Sequence, residues 1–193
     1  MISLSRFGFA LAVALAVASQ AATAQTAAAK LLPEKSQIAF VSKQMGTPVE
    51  GTFGKFSAQV AFDPHKPEGG SIGLTIDMAS ASLGVPQSDA ELPRSDWFDT
   101  AKFPQASFKS TSIKGLGGGR FDIAGKLTLK GQTQELVVPM TLTQADGQSV
   151  ATGTITIQRL AFKVGEGEWT DTSMVANDVL VRFRFTLTGL GPL

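Results

Sequence analysis

The sequence predicts an all-β domain of roughly eight antiparallel strands, closed as a barrel or stacked as a sandwich. Three observations point there. Apolar residues recur at every second position over most of the chain. The connections between these segments are short and rich in Gly, Pro and Asp. A single stretch, Gly84 to Lys102, breaks the rhythm. Strands do not alternate with helical repeats, which disfavours a parallel α/β sheet.

The first 24 residues have the composition of a secretory leader. Arg6 supplies a basic start, Phe7 to Ala18 form an apolar run, and Ala22-Thr23-Ala24 is a small-x-small cleavage site. That run is too short to cross a membrane as a helix. Residues 25–30 are expected to form a flexible tail, and 31–193 a single domain. The chain holds 17 Lys and Arg against 16 Asp and Glu, so loss of Arg6 with the leader balances the charges. A neutral, mixed surface argues against nucleic acid as a partner. There is no Cys, so an exported fold would have to hold without disulfides. A periplasmic location fits both features.

From the tail onward the elements follow in order. Ile38, Phe40 and Ser42 share one face of the first strand pattern. Phe56, Ala58, Val60 and Phe62 share one face of the next, and Asp63 to Gly70 is a turn-rich loop. Ile72, Leu74, Ile76 and Met78 continue the alternation. Within the interruption, Ser88 could cap a helical turn with Glu91 three residues on. The dense stretch Arg94 to Phe108 reads as a plug that closes the β-structure. Strand patterns resume at Ala106 to Ile113, and Gly115 to Gly119 is a turn. Phe121, Ile123, Leu127 and Leu129 follow, with Gly125 marking a bulge or a close approach. Lys130-Gly131-Gln132 and Asp146-Gly147 are hairpin signals flanking Leu136, Val138, Met140 and Leu142. Thr152 to Ile157 and Leu160 to Val164 read as strand, Gly165 to Met174 as loop, and Val179 to Leu187 as the closing strand.

Catalytic chemistry finds little support. The one His, His65, lies in a Pro/Gly loop, and no Gly-x-Ser-x-Gly elbow accompanies it. The Gly115–Gly119 run lacks a following Lys-Ser/Thr and a helix, so it is no phosphate loop. Acids cluster at Asp89, Glu91, Asp96 and Asp99, and at Glu166, Glu168 and Asp171, without calcium-loop spacing. Solvated loop charges are the simpler reading, and neither a metal nor a catalytic residue is expected. Trp97 and Trp169 either cap the core or line the mouth of a cavity. Phe98, Phe103 and Phe108 share that ambiguity.

Several segments together resemble a known family. They are Ser36-Gln-Ile-Ala-Phe40, Gly51-Thr-Phe-Gly-Lys-Phe56, Arg94-Ser-Asp-Trp-Phe-Asp99, Phe103-Pro-Gln-Ala-Ser-Phe108, Gly125-Lys-Leu-Thr-Leu-Lys-Gly131 and Arg159-Leu-Ala-Phe162. In this order they are similar to the YceI-like family of periplasmic polyisoprenoid-binding proteins. The resemblance implies a lipocalin-like, extended eight-stranded antiparallel β-barrel with a short helical insertion near residues 86–102. It implies an isoprenoid-type lipid, a polyprenyl phosphate or a quinone tail, held in an apolar tunnel. Arg159 and Phe162 would start a late strand. The chain departs from the family pattern at Glu91-Leu92-Pro93, where many relatives carry His-Leu, and at Met45 to Val49, where many carry an aromatic.

The expected lining is Phe40, Phe56, Val60, Leu74, Ile76, Trp97, Phe98, Phe108, Phe121, Ile123, Val138, Met140, Ile155, Phe162, Val181 and Phe183. An error of one residue in face would flip a strand's whole set. No cofactor is expected beyond such a lipid or quinone. Transient contact with a membrane or a membrane cytochrome, and a homodimer, are compatible with the sequence. A stress-related accessory protein that docks on a membrane redox partner without carrying lipid is the alternative function.

Overall fold

Strands with one apolar face bury it most completely when the sheet closes on itself, because closure also removes unpaired edges. The chain does this. The computed structural model describes residues 28–193, and the expected leader lies outside them. The strands are β1 (Ala28–Leu31), β2 (Gln37–Gln44), β3 (Thr47–Phe53), β4 (Phe56–Ala61), β5 (Ser71–Asp77), β6 (Ala81–Ser82), β7 (Gln105–Gly117), β8 (Arg120–Leu129), β9 (Gln132–Ala145), β10 (Gln148–Gln158) and β11 (Asp178–Thr188). A single four-residue helix, α1 (Pro86–Asp89), lies in the interruption.

Every strand pairing is antiparallel. β1, β4, β5, β7, β8, β9, β10 and β11 form a closed ring, with β1 bridging β4 and β11. The fold is thus the closed eight-stranded antiparallel barrel that the resemblance implies, and one of the two arrangements, barrel or sandwich, that the pattern left open.

One edge of β11 is shared. Its C-terminal end pairs with β1 through Leu31↔Leu187, and its N-terminal half pairs with β2 from Leu180↔Val41 to Arg184↔Gln37. A 3₁₀ turn at Pro33–Lys35 separates β1 from β2. The break is stitched by Ser36, whose hydroxyl donates to the Leu32 carbonyl (2.7 Å) and accepts from the Thr186 amide (3.0 Å). Beyond it, β2, β3 and β6 form a leaf that extends the wall past the ring.

Three two-residue hairpin turns set the registers. Met45-Gly46, Lys130-Gly131 and Asp146-Gly147 have positive φ at both residues, the geometry that matches the right-handed twist of antiparallel strands. Gly125 is a close approach. A Cβ there would run into the Phe108 ring and meet the Lys109 carbonyl at 2.6 Å. The ladder shifts at the same place, between Ser110 and Ser112 of β7.

Several expectations are corrected. Leu160–Val164 is not a strand: Arg159–Phe162 is a 3₁₀ turn ending at Lys163 with φ 56°. Residues 28–30, expected in the loose tail, belong to β1. β3 is an unforeseen strand, because Pro48 and Gly51 interrupt its alternation. Ser88 caps nothing. It lies inside α1, whose N-cap Val85 makes no side-chain cap bond.

The interior falls into two clusters. One is built around Phe62, Ile113, Phe121, Ile123 and Leu142, under the closed ring. The other, around Met78, Leu92, Phe98, Leu129 and Phe162, lies beneath the interruption. We expect Gly125→Ala to cost about 1–3 kcal/mol by overpacking. Gly73→Ala, with open space around its Cβ, should stay within about 0.5 kcal/mol of the parent. Urea unfolding followed by circular dichroism measures both.

Candidate functional site: an apolar cavity at the open end

The second cluster does not fill its end of the barrel. A cavity of about 270 Å³ lies between it and the inner faces of β2 and β11. Phe40, Val179 and Val181 form one wall, and Leu92, Phe98 and Leu129 another. Trp97 and Trp169 line the cavity together, with ring centroids 5.4 Å apart. Polar lining is confined to Ser42, Gln44, Ser88, Glu91 and Arg159.

Arg159 organises this end. Its side chain is only 3% exposed and no carboxylate bonds to it. All five guanidinium N–H groups donate to backbone carbonyls instead. Nε reaches Ala176 (3.0 Å), Nη1 reaches Val164 (2.9 Å) and Gly165 (3.0 Å), and Nη2 reaches Trp169 (2.6 Å) and Val175 (2.7 Å). Burial holds its pKa below the usual arginine value. The side chain therefore fixes the course of residues 164–176 and places Trp169 and Val175 on the cavity wall.

Lys130 does the same for the facing loops. It is buried at the first position of the β8–β9 turn. Its Nζ donates to the carbonyls of Ser95 (2.6 Å) and Lys163 (2.7 Å) and to Glu166 Oε2 (2.9 Å). The Gly165 and Glu166 amides donate to the Asp96 carbonyl at 2.7 and 2.9 Å. The interruption is thereby joined to the 163–166 segment, which brings the two tryptophans together. At the other side, Asp89 accepts from the Ser82 hydroxyl (2.7 Å) and the Leu83 amide (2.5 Å), pinning α1 to β6.

The acidic clusters have local partners. Both Glu91 oxygens accept from Arg94 Nη1 at 2.9 Å, and Asp99 pairs with Lys102 at 3.5 Å. Asp171 accepts from the Ser173 hydroxyl (2.7 Å) and amide (2.8 Å), which hold its carboxyl below the ordinary aspartate range. Among the described residues, no group of three or more His, Cys, Asp or Glu is placed to share a metal ion.

The structure divides the expected lining residues. Phe40, Trp97, Phe98 and Val181 line the cavity. Ile76 and Phe162 belong to the cluster beneath the interruption. Phe56, Val60, Phe108, Phe121, Ile123, Val138, Met140, Ile155 and Phe183 pack in the cluster under the ring and are not part of the cavity lining. Leu74 is half-buried opposite Ala58 and Phe108, also outside that lining. Residues alike in composition and alternation thus fall in different places, because packing rather than face decides which inward residues border a void. Sequence reasoning missed Phe53, Leu92, Leu129, Val175 and Arg159 as lining residues. An arginine embedded in Ile157-Gln-Arg-Leu-Ala-Phe162 was the available signal for the last.

Comparison with known proteins agrees with this architecture. The model of the YceI-like domain family matches residues 30–187. The chain belongs to the YceI-like domain family. Burkholderia cenocepacia BcnA has a crystal structure that superposes with a TM-score of 0.79 at 44% identity, covering 81% of this chain and 99% of that one. A UPF0312 protein of Pseudomonas savastanoi pv. phaseolicola is 32% identical over 134 residues, 67% of this chain and 70% of its own. A polyisoprenoid binding domain from Saccharophagus degradans, implicated in plant cell wall breakdown, shares the fold. Its TM-score is 0.69 at 17% identity, over 84% of this chain and 99% of that one.

Removing the guanidinium would leave buried carbonyls unpaired. We expect Arg159→Met to lose about 3 kcal/mol or more in urea unfolding. Arg159→Lys should recover little of this, because an ammonium offers three donors to five acceptors. In both variants tryptophan emission should shift to the red as Trp97 and Trp169 separate.

Proposed function

We propose that this protein is an exported, periplasmic binding protein that holds the chain of an isoprenoid-type lipid in the cavity at the open end of its barrel. The observation that carries the reading is an apolar void, walled by Phe40, Phe98, Leu129 and Val181, beside the buried cluster under the ring. Burial of apolar surface contributes about 25 cal/mol per Å² removed from water, so such a void favours hydrocarbon over a polar solute. The name of the Saccharophagus degradans relative supports a polyisoprenoid in particular. The leader-like composition of residues 1–24 supports export.

The cavity's size bears on the ligand. At about 270 Å³ it falls just short of pockets that enclose drug-sized ligands, roughly 300–1,000 Å³. It accommodates a short prenyl segment as it stands. A longer tail needs side chains of the adjoining cluster to move aside or must extend past the two tryptophans. Binding rather than catalysis is the role the lining supports, since its one carboxylate, Glu91, is paired with Arg94.

The chain purified from its native host should release a prenyl lipid into organic solvent, identified by mass spectrometry. Phe98→Asp, which puts an unpaired carboxylate on the cavity wall, should reduce the recovered lipid by at least about tenfold. Protein that carries no lipid, and takes none up on incubation with prenyl lipid vesicles, would contradict the proposal.

A further inference from the structure

The polar residues of the cavity say which end group it can hold. Arg159 is the lining's one cation, and its five N–H groups are all committed to backbone carbonyls. It has no donor left for a phosphate. Glu91 places a carboxylate at the mouth, bound to the exposed Arg94. The remaining polar lining is neutral: the Gln44 amide and the hydroxyls of Ser42 and Ser88. Among the described residues, none of these three side chains makes a hydrogen bond to the protein. Gln44 is held in place by its backbone, through a bridge to Val175. An amide presents both donors and an acceptor, which suits an alcohol, ketone or amide. An anionic group held here would lie at the same mouth as the Glu91 carboxylate, with the Arg159 donors already taken.

Building on the lipid-binding reading above, we propose that the cavity selects amphiphiles with an uncharged, hydrogen-bonding end and discriminates against a phosphate end. Gln44, Ser42 and Ser88 hold that end. Gln44 is the specificity-determining residue, because its side chain alone among the three offers both donors and a carbonyl acceptor on a planar group. The prenyl chain then runs inward between the Phe40 and Phe98 walls.

The test titrates the purified, delipidated chain with farnesol, farnesyl phosphate and farnesene, following the emission of Trp97 and Trp169. Farnesol should bind at least about tenfold more tightly than farnesyl phosphate. Gln44→Leu should weaken farnesol by about 3–10-fold relative to farnesene, the same chain without a hydroxyl. A merely structural effect of the substitution would weaken both ligands alike and would overturn the assignment of Gln44. Equal or tighter binding of the phosphate, abolished by Arg94→Ala, would overturn the selectivity while leaving the lipid-binding reading intact. Failure of all three ligands to bind would overturn both.

Discussion

A buried guanidinium without a carboxylate is the interaction on which this molecule's open end depends. Charge in a protein interior is tolerated when dipoles replace the lost water, and Arg159 does so through five carbonyl oxygens. Those carbonyls belong to an irregular loop whose apolar anchors are Val164, Trp169 and Val175. One side chain thus substitutes for the ladder bonds that an irregular segment lacks. The same contacts place Trp169 and Val175 on the cavity wall. They also commit every donor of the cavity lining's one cation, so Arg159 serves as a support for the loop.

The barrel is accordingly divided. Under the ring, large side chains from opposed strands interdigitate, as the Phe62–Phe121 edge contact at 5.0 Å shows. At the other end, β2, β3 and β6 carry the wall past the ring, and the interruption closes over them. Two irregular segments that meet through backbone and side-chain polar contacts cannot interdigitate as strands do. A void remains where they face β2 and β11. Lys130 and Asp89 hold the interruption in place from either side.

Most of the ring was legible because its signals are local, although β1, which closes it, was read largely as tail. Alternation gives the faces, and Lys130-Gly131 and Asp146-Gly147 give two of the registers. The leaf was less so. β3 carries Pro48 and Gly51, which erase the alternation, and its hairpin turns on Met45-Gly46, an uncommon choice for a position of positive φ. The 3₁₀ turn at Arg159–Phe162 resembles a strand in composition, yet it is closed by the Lys163 and Val164 amides donating to the Leu160 and Arg159 carbonyls while the Arg159 side chain gathers the loop that follows. The cavity was legible in kind but not in place. Phe183 and Phe40 look alike in sequence, yet the first stacks on Phe185 at 5.1 Å in the filled half and the second faces the void. Which inward residue borders empty space depends on long-range packing that no local pattern records.

The most direct measurement is a crystal structure of the protein with farnesol bound. The account places the prenyl chain against Phe40, Phe98 and Leu129, with the hydroxyl within hydrogen-bond distance of Gln44 and the Arg159 contacts unchanged. A chain lodged instead among Phe121, Ile123 and Met140, or a hydroxyl bonded to a displaced Arg159, would contradict it.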